Sequence, residues 1–322
     1  MTLGYWIEAP GRGALREVPL PAAGDDQVTL AASCTGISPG TERLVGLGRV
    51  PTSLADEMAC RGMLGSFTLP LLYGYSFVGQ VCDGVDAGRR AFVMRPHQQH
   101  AVVAHDELVW LPNGVPDARA TLFPNLETAR NAVWDAGVEP GERTVIVGAG
   151  AVGLLCAFVL AKDLDLGNVL VVDVDERRRR RAAALPWVTD VAAPDEVPRG
   201  TFRHALHTSA SASGLQLAID AVAFEGQVVE LSWYGDQPVS IRLGGTFHSQ
   251  RKRLVASQVG TIARSHRQQG HTARRRAVLD LLLDHHLDLL LDEPVPFAEA
   301  PATFAALYES RLASLCPVLR HR

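Results

Sequence analysis

The stretch from residue 143 to residue 173 limits the fold of this chain more than any other feature. It begins with the β-prone run RTVIV, continues through the glycine motif GAGAVG at residues 148–153, and ends with VLVVD at residues 169–173. This order is typical of a strand, a tight turn, a helix and a second parallel strand. The sequence therefore predicts a βαβ unit of the kind that binds dinucleotides.

The three glycines of this motif each have a physical role. Gly148 permits a tight turn, Gly150 lets backbone N–H groups approach a pyrophosphate, and Gly153 lets the helix pack closely against the sheet. The positive end of that helix then faces the phosphates. Asp173 lies twenty residues after Gly153, where a carboxylate can accept hydrogen bonds from both hydroxyls of an adenine ribose. We therefore predict that the chain binds a dinucleotide.

The composition restricts the class of protein. A chain of 322 residues with 47% hydrophobic residues is long enough for two domains with sizeable cores. Its net charge of −4 and its pI near 6.3 give no general attraction to nucleic acid. The five cysteines are scattered and form no CxxC pair, which argues against a disulfide framework or a zinc ribbon. No signal-peptide pattern opens the chain and no apolar run approaches the ~20 residues of a membrane span, so we expect a cytoplasmic protein without membrane contact.

The chain has two parts that differ in their predicted secondary structure. Up to about residue 115, short β-prone runs are broken by glycine and proline, which predicts an all-β barrel or sandwich. After a helical stretch at residues 116–134, strand and helix alternate, which predicts a parallel sheet covered by helices. We therefore expect an α/β protein in which a β domain precedes a doubly wound dinucleotide-binding domain.

Several motifs together resemble one known family. They are TGISPGTE at residues 35–42, GYSFVG at 74–79, GRRAFV at 88–93, EPGERTVIVGAGAVG at 139–153 and FAEAPATF at 297–304. Their order resembles the medium-chain dehydrogenase/reductase superfamily over essentially the whole chain. The resemblance implies a GroES-like substrate domain at residues 1–125, completed by residues 262–322, and a Rossmann domain at residues 126–261. It also implies an NAD(P)-dependent oxidoreductase acting on a small-molecule substrate, and we expect a homodimer.

The chain departs from the zinc-binding members of that superfamily. The places of their catalytic ligands hold Ser38, then Tyr75 and Ser76, and finally a Pro124-Asn125 region. Zinc prefers thiolate, imidazole or carboxylate donors, so none of these residues is a good ligand. The four-cysteine loop that holds structural zinc in the family is also missing. We therefore expect no zinc at either place.

Without a metal, side chains must handle the charge and the proton of the reaction. Tyr75 is the first candidate, because it replaces a metal ligand and a phenol can donate a hydrogen bond or a proton. Thr41 lies near the place where zinc members relay protons through a hydroxyl. His97 is a candidate for facing the substrate, since a strand would place His97 and His100 on opposite faces. Glu127 is a candidate base or substrate-orienting residue, with a structural carboxylate as the alternative.

Cofactor contacts are expected at the ends of the predicted strands, where open α/β sheets bind ligands. The predicted contacts are Gly148, Gly150, Ala151, Val152, Gly153, Asp173, Arg178, Ser209 and Trp233. Asp173 favours NAD over NADP, because a carboxylate repels the 2′-phosphate of NADP. Arg178, in a run of five arginines, could reach that phosphate if Asp173 turned away.

These observations favour a zinc-independent oxidoreductase that interconverts an alcohol and a ketone or aldehyde. The stretch GISPGTERL at residues 36–44 is similar to the branch of dehydrogenases that oxidise a hydroxyethyl side chain on bacteriochlorophyll precursors, but it fixes no substrate. Two alternatives stay open. One is a quinone or enoyl reductase, in which hydride reaches a conjugated carbon, and the other is a nucleotide-binding protein with little catalysis.

Overall fold

A computed structural model describes residues 1–164 and 168–321. It separates into two compact units, one formed by residues 1–124 and 282–322 and the other by residues 125–281. Residues 262–281, which the sequence analysis assigned to the completion of the first domain, therefore fall in the second unit. In the described residues, no helix combines the length and the apolar character that crossing a membrane requires.

The elements follow one another in chain order. The early elements are β1 Thr2–Ala9, β2 Arg12–Val18, β3 Gln27–Gly36, α1 Pro39–Gly46, β4 Leu64–Gly65, β5 Leu71–Leu72, β6 Phe77–Val81, β7 Arg90–Val93, β8 His100–Ala104, β9 Val109–Trp110 and α2 Asp117–Ala120. The middle elements are α3 Phe123–Ala136, β10 Thr144–Val147, α4 Ala151–Leu164, β11 Val169–Val172, α5 Glu176–Ala183, β12 Asp190–Ala192, β13 Phe202–His207, α6 Ala212–Ala221, β14 Val222–Glu230, α7 Thr246–Ser249, β15 Arg253–Ala256 and α8 Gly270–Leu282. The last elements are β16 Val295–Pro296, α9 Ala300–Tyr308 and β17 Val318–Arg320.

The first unit contains two sheets whose pairings are mostly antiparallel. One has the order β2-β1-β5-β4, and the other has the order β16-β17-β3-β6-β7-β9, with β8 also paired to β3. Alternating residues of β3, β6, β7 and β8 bury a core that includes Leu30, Phe77 and Val93. The C-terminal strand β17 pairs antiparallel with β3, so the end of the chain is built into this unit. This is the predicted GroES-like β domain.

The second unit is a parallel sheet with the order β12-β11-β10-β13-β14-β15. Counted along the chain from β10, with β15 as the sixth strand, that order is 3-2-1-4-5-6, the order of a Rossmann sheet. All four residues of β10 are buried, as expected for a strand covered on both faces. Helix α4 is buried from Gly153 to Leu160, because it is apolar around most of its circumference. The predicted fold class, a β domain with a doubly wound parallel sheet, is confirmed.

Candidate active site

The glycine turn between β10 and α4 leaves open space beside its backbone at Gly150, which we call the cradle. Gly148 has φ +117°, and a Cβ there would lie 2.7 Å from Thr208 Oγ1. A Cβ on Gly153 would overlap the carbonyl oxygen of Gly148. A Cβ on Gly150, by contrast, would meet no atom of the described residues within 4 Å. The fold therefore requires glycine at two of the three positions, whereas the open space at Gly150 fits a ligand that approaches the backbone.

Asp173 lies directly after β11 and is tied to the same turn. Its carboxylate accepts hydrogen bonds from the N–H of Ala149 at 2.8 Å and from the N–H of Asp175 at 2.9 Å. Only 5% of the Asp173 side chain is exposed. Arg178 is more than half exposed, and its Nη1 lies 3.8 Å from Asp173 Oδ2. The carboxylate and the guanidinium thus lie together at the carboxyl edge of the sheet.

The other predicted cofactor contacts also lie near the carboxyl ends of strands. Ala151 and Val152 open α4 and are half-buried. Trp233 is half-buried in the segment after β14, and Ser209 is exposed in the turn after β13. Their contact with a cofactor stays a prediction.

Sequence reasoning missed a polar cluster at this edge, centred on His207. His207 is fully buried, and its Nδ1 lies 2.8 Å from Glu230 Oε2 and 2.9 Å from Glu230 Oε1. Its Nε2 lies 2.7 Å from Ser209 Oγ. The Tyr234 hydroxyl donates to Glu230 at 3.0 Å, and the Ser232 N–H donates at 2.7 Å. His207 and Glu230 are the last residues of β13 and β14, and a polar residue within each of two successive β-prone runs is the signal that could have found this cluster.

The charge of Glu230 is stabilised inside this cluster. Burial opposes ionisation of the carboxyl group, but the hydrogen bonds from His207 and Ser232 outweigh it and lower the pKa of Glu230. Burial, together with the neighbouring carboxylate, raises the pKa of Tyr234. Glu230 is therefore an ionised acceptor, and Tyr234 stays a protonated donor.

In the first unit, three hydroxyl-bearing residues meet. Tyr75 forms side-chain hydrogen bonds with Ser38 and Thr41. Burial is the main cause that raises the pKa of Tyr75 above its usual value, and the nearby Glu42 carboxylate adds to the rise. Tyr75 therefore stays protonated at neutral pH. It can donate a hydrogen bond, but its raised pKa makes it a poor source of a proton.

His97 lies in a second buried network of the same unit. Its Nε2 lies 2.7 Å from Glu42 Oε2, and its Nδ1 lies 2.9 Å from Thr35 Oγ1. Glu42 also accepts a hydrogen bond from the Ser38 N–H at 2.7 Å. His97 is only 1% exposed and precedes β8, so it does not share a strand with His100 as the sequence analysis assumed. This burial gives no support to a substrate-facing His97.

His321 extends this network from the C-terminal strand. Its Nε2 lies 3.0 Å from Thr35 Oγ1, and its ring stacks on Phe297. Burial, with a smaller contribution from His97 and His100, lowers the pKa of His321 to about 3. His321 is therefore a neutral, half-buried hydrogen-bonding group.

Glu127 is engaged within the second unit. Its Oε1 lies 3.1 Å from Nε of Arg274, which is 3% exposed. Nη1 of Arg274 donates to Asn131 Oδ1 at 3.1 Å, and the same oxygen accepts from the Ala263 N–H at 3.0 Å. This arrangement is that of a structural carboxylate joining α3 to α8, which was the alternative interpretation. The role of Glu127 as a base stays a prediction without geometric support.

The places expected to hold catalytic zinc carry oxygen groups that zinc does not prefer. Ser76 donates its hydroxyl hydrogen bond to the Thr121 carbonyl, while Ser38 and Tyr75 belong to the hydroxyl cluster. These neutral hydroxyls do not fit the thiolate, imidazole and carboxylate set of a zinc site. Elsewhere in the described part of the chain, Asp284, His285 and His286 present potential ligand atoms within 4.8 Å of one another.

Comparison with known proteins finds partial sequence similarity to dehydrogenases. No family model matches it. It is 27% identical over 154 residues to (R,R)-butanediol dehydrogenase of Saccharomyces cerevisiae, covering 44% of this chain and 40% of that protein. It is 27% identical over 210 residues to D-guloside 3-dehydrogenase of Escherichia coli, covering 60% and 59%. An uncharacterized zinc-type alcohol dehydrogenase-like protein of Haemophilus influenzae is 25% identical over 217 residues, covering 56% and 58%. The chain thus spans about two fifths to three fifths of the length of these relatives.

Solved structures share the fold over almost the whole chain. The 2R,3R-butanediol dehydrogenase of Bacillus subtilis matches with a TM-score of 0.79 at 16% identity, covering 100% of both chains. An alcohol dehydrogenase of Escherichia coli CFT073 complexed with NADH matches at 0.78 and 15% identity, covering 99% of each chain. A zinc-binding dehydrogenase of Sinorhizobium meliloti 1021, bound to NADP, matches at 0.78 and 16% identity, covering 100% and 99%. The chain is therefore similar in sequence to zinc-type alcohol dehydrogenase-like proteins and has the fold of alcohol dehydrogenases.

Proposed function

We propose that this protein is a nicotinamide-dependent oxidoreductase that interconverts an alcohol with a ketone or aldehyde and does so without zinc. The observation that carries the proposal is the glycine turn, where the open space at Gly150 lies beside the buried carboxylate of Asp173. The dehydrogenases among its sequence relatives support the same reaction class.

The residues of the second unit fit a dinucleotide. The N–H groups that open α4 can bind the pyrophosphate, helped by the positive end of this 14-residue helix. Asp173 can accept a hydrogen bond from a ribose hydroxyl, which favours NAD over NADP. Arg178 lies close enough to hold that carboxylate in place. When bound, the nicotinamide accepts or donates a hydride.

The residues of the first unit can act on a substrate oxygen without a metal. Tyr75 is protonated and hydrogen-bonded to Ser38 and Thr41. A positioned hydroxyl donor stabilises negative charge that develops on an oxygen in the transition state. We assign this hydrogen-bonding role to Tyr75 and a supporting role to Thr41.

The proposal is tested with the purified protein and a substrate panel. The panel contains (R,R)-butanediol, D-xylulose, simple secondary alcohols with their ketones, a cyclic enone and a quinone, each with NAD(H) and with NADP(H). Absorbance of the reduced nicotinamide reports turnover, with and without a chelator, and elemental analysis reports bound zinc.

We expect turnover of an alcohol and ketone pair, faster with NAD(H), unchanged by chelator and with well under one zinc ion per chain. Reduction of the enone or quinone alone would replace the proposed reaction with conjugate reduction. Stoichiometric zinc together with chelator-sensitive turnover would refute the zinc-free proposal.

A further inference from the structure

At the carboxyl edge of the parallel sheet, hydrogen bonds join a serine, a histidine and a carboxylate in series. Ser209 Oγ lies 2.7 Å from His207 Nε2, and His207 Nδ1 lies 2.8 Å from Glu230 Oε2. Strands β13 and β14 pair in parallel with His207 opposite Glu230, so the sheet register fixes the second contact. This is the order of groups that activates a hydroxyl in serine hydrolases.

The donor and the acceptor of each hydrogen bond in this series can be assigned. Ionised Glu230 has only acceptor atoms, so His207 must carry its proton on Nδ1 to satisfy the contact. In the neutral ring, Nε2 is then an acceptor, and it can take only the hydroxyl proton of Ser209. The N–H of Gly214 donates to Ser211 Oγ at 3.1 Å, which lets the Ser211 hydroxyl donate to Ser209 Oγ at 2.9 Å. With the His207 proton on Nδ1, the proton of Ser209 is therefore directed at His207 Nε2.

His207 and Ser209 differ in their exposure to solvent. His207 is fully buried, whereas Ser209 is exposed in the turn that leads into α6. A Cβ on Gly214 would overlap Ser209 Oγ and lie 2.8 Å from His207 Nε2, so glycine at this position leaves room for their contact. A Cβ on Gly148 would lie 3.0 Å from the Ser209 nitrogen, which places this serine beside the glycine turn.

The buried network of the first unit provides a contrast. There, His97 lies between Glu42 and Thr35 with similar distances, but Thr35 is 0% exposed. A hydroxyl that is closed off from solvent cannot meet a ligand. Of these two networks, the one that contains Ser209 ends at a residue that is exposed to solvent.

We propose that Ser209 is the acid–base group of the second unit, and that His207 and Glu230 position it and take up its proton. The proposal rests on the proposed alcohol dehydrogenase function. In alcohol oxidation, the O–H bond of the substrate breaks and its proton passes to Ser209 Oγ, while the Ser209 proton passes to His207 Nε2. The C–H bond of the carbon that bears this oxygen breaks as well, and its two electrons leave with the hydride that the oxidised nicotinamide of the proposed function would accept. The resulting imidazolium is balanced by the Glu230 carboxylate. In ketone reduction the same two protons move in the opposite direction.

An activated serine can be detected without knowing the substrate. Diisopropyl fluorophosphate reacts with such a hydroxyl: a bond forms between Oγ and phosphorus, fluoride leaves, and the hydroxyl proton passes to His207. We expect mass spectrometry to find the label on Ser209 in the wild-type protein. Glu230→Gln should slow the labelling by about 100-fold or more, because the loss of a triad carboxylate charge costs about 10⁴-fold in serine hydrolases. Ser209→Ala should remove the label, and Ser213→Ala, at an exposed serine in the first turn of α6, should keep it.

Turnover by an active member of the substrate panel gives the second measurement. Ser209→Ala should lower kcat by roughly 10²–10⁴-fold, the usual effect of removing a positioned acid or base. The affinity for NADH, measured by its fluorescence, should fall by no more than about tenfold, the loss of the one hydrogen bond that Ser209 is predicted to make to the cofactor, so the loss in kcat should be clearly the larger. Glu230→Gln should likewise lower kcat much more than it lowers the affinity for NADH.

The outcomes separate the two proposals. A wild-type Ser209 that resists the reagent, or a labelling rate that Glu230→Gln leaves unchanged, overturns the activated serine even if the panel shows dehydrogenase activity. Labelling that depends on Glu230, in a protein that binds neither NAD(H) nor NADP(H) and turns over none of the panel, supports the activated serine and refutes the dehydrogenase function. A kcat loss below about threefold in Ser209→Ala refutes its role in proton transfer.

Discussion

Replacing Gly150 by leucine separates cofactor binding from folding. A Cβ at this position meets no atom of the described residues within 4 Å, so a side chain can leave the backbone here without a clash at its first carbon. We expect the free energy of unfolding to change by no more than about 0.5 kcal/mol, as for other substitutions into open space. A leucine in the cradle instead occupies the space through which a pyrophosphate approaches the backbone. Losing one charge-assisted hydrogen bond costs about 1.5–3 kcal/mol, which corresponds to a roughly 10- to 150-fold rise in Kd.

Fluorescence titration with NADH measures the affinity, and urea denaturation measures stability on the same preparations. Gly244→Leu is the matched control, because a Cβ there also meets no described atom within 4 Å but Gly244 lies outside the glycine turn. Gly153→Ala serves as the opposite case, since its Cβ would overlap the Gly148 carbonyl oxygen. It should cost about 1–3 kcal/mol of stability, as overpacking does. If Gly150→Leu bound NADH as tightly as Gly244→Leu, the assignment of the cradle to the pyrophosphate would be wrong.

Two further predictions concern the first unit. Tyr75→Phe should lower kcat by about 10²–10³-fold, the effect of removing one hydrogen-bond donor to a developing oxyanion, and should leave NADH affinity unchanged; a loss below threefold with normal stability would remove Tyr75 from the reaction. The pKa of His321 is about 3 in the folded chain and about 6.5 in the unfolded chain. Between these two pH values, the unfolded chain binds a proton at this residue and the folded chain does not. The free energy of unfolding should therefore fall as the pH drops below about 6.5, by at most about 1.4 kcal/mol per pH unit. His321→Gln should reduce this slope in denaturation series, and equal slopes for the two proteins would contradict the assignment.

The features set by local pattern were predictable, and those set by pairing between distant residues were not. Continuous apolar runs identify β10 and β11, and the glycine spacing identifies the turn between β10 and α4, because each depends on neighbouring residues. The contact of His207 with Glu230 spans 23 residues and depends on the register of β13 against β14. The contact of His97 with Glu42 spans 55 residues and depends on an irregular segment before β8. Periodicity placed His97 on a strand with His100, whereas His97 lies in the irregular segment before β8.

The anchoring of Arg274 decides where this chain can be cut. Glu127 and Asn131 lie on α3, whereas Ala263 and Arg274 come from the segment after β15. A fragment that ended at residue 261 would lack both donors and would leave the Glu127 carboxylate, 12% exposed in the intact chain, without its guanidinium. Breaking a buried ion pair of this kind costs about 3–5 kcal/mol, a large part of the stability of a small domain. An isolated fragment of the second unit should therefore be expressed as residues 125–281, which keep Arg274 and nearly all of α8.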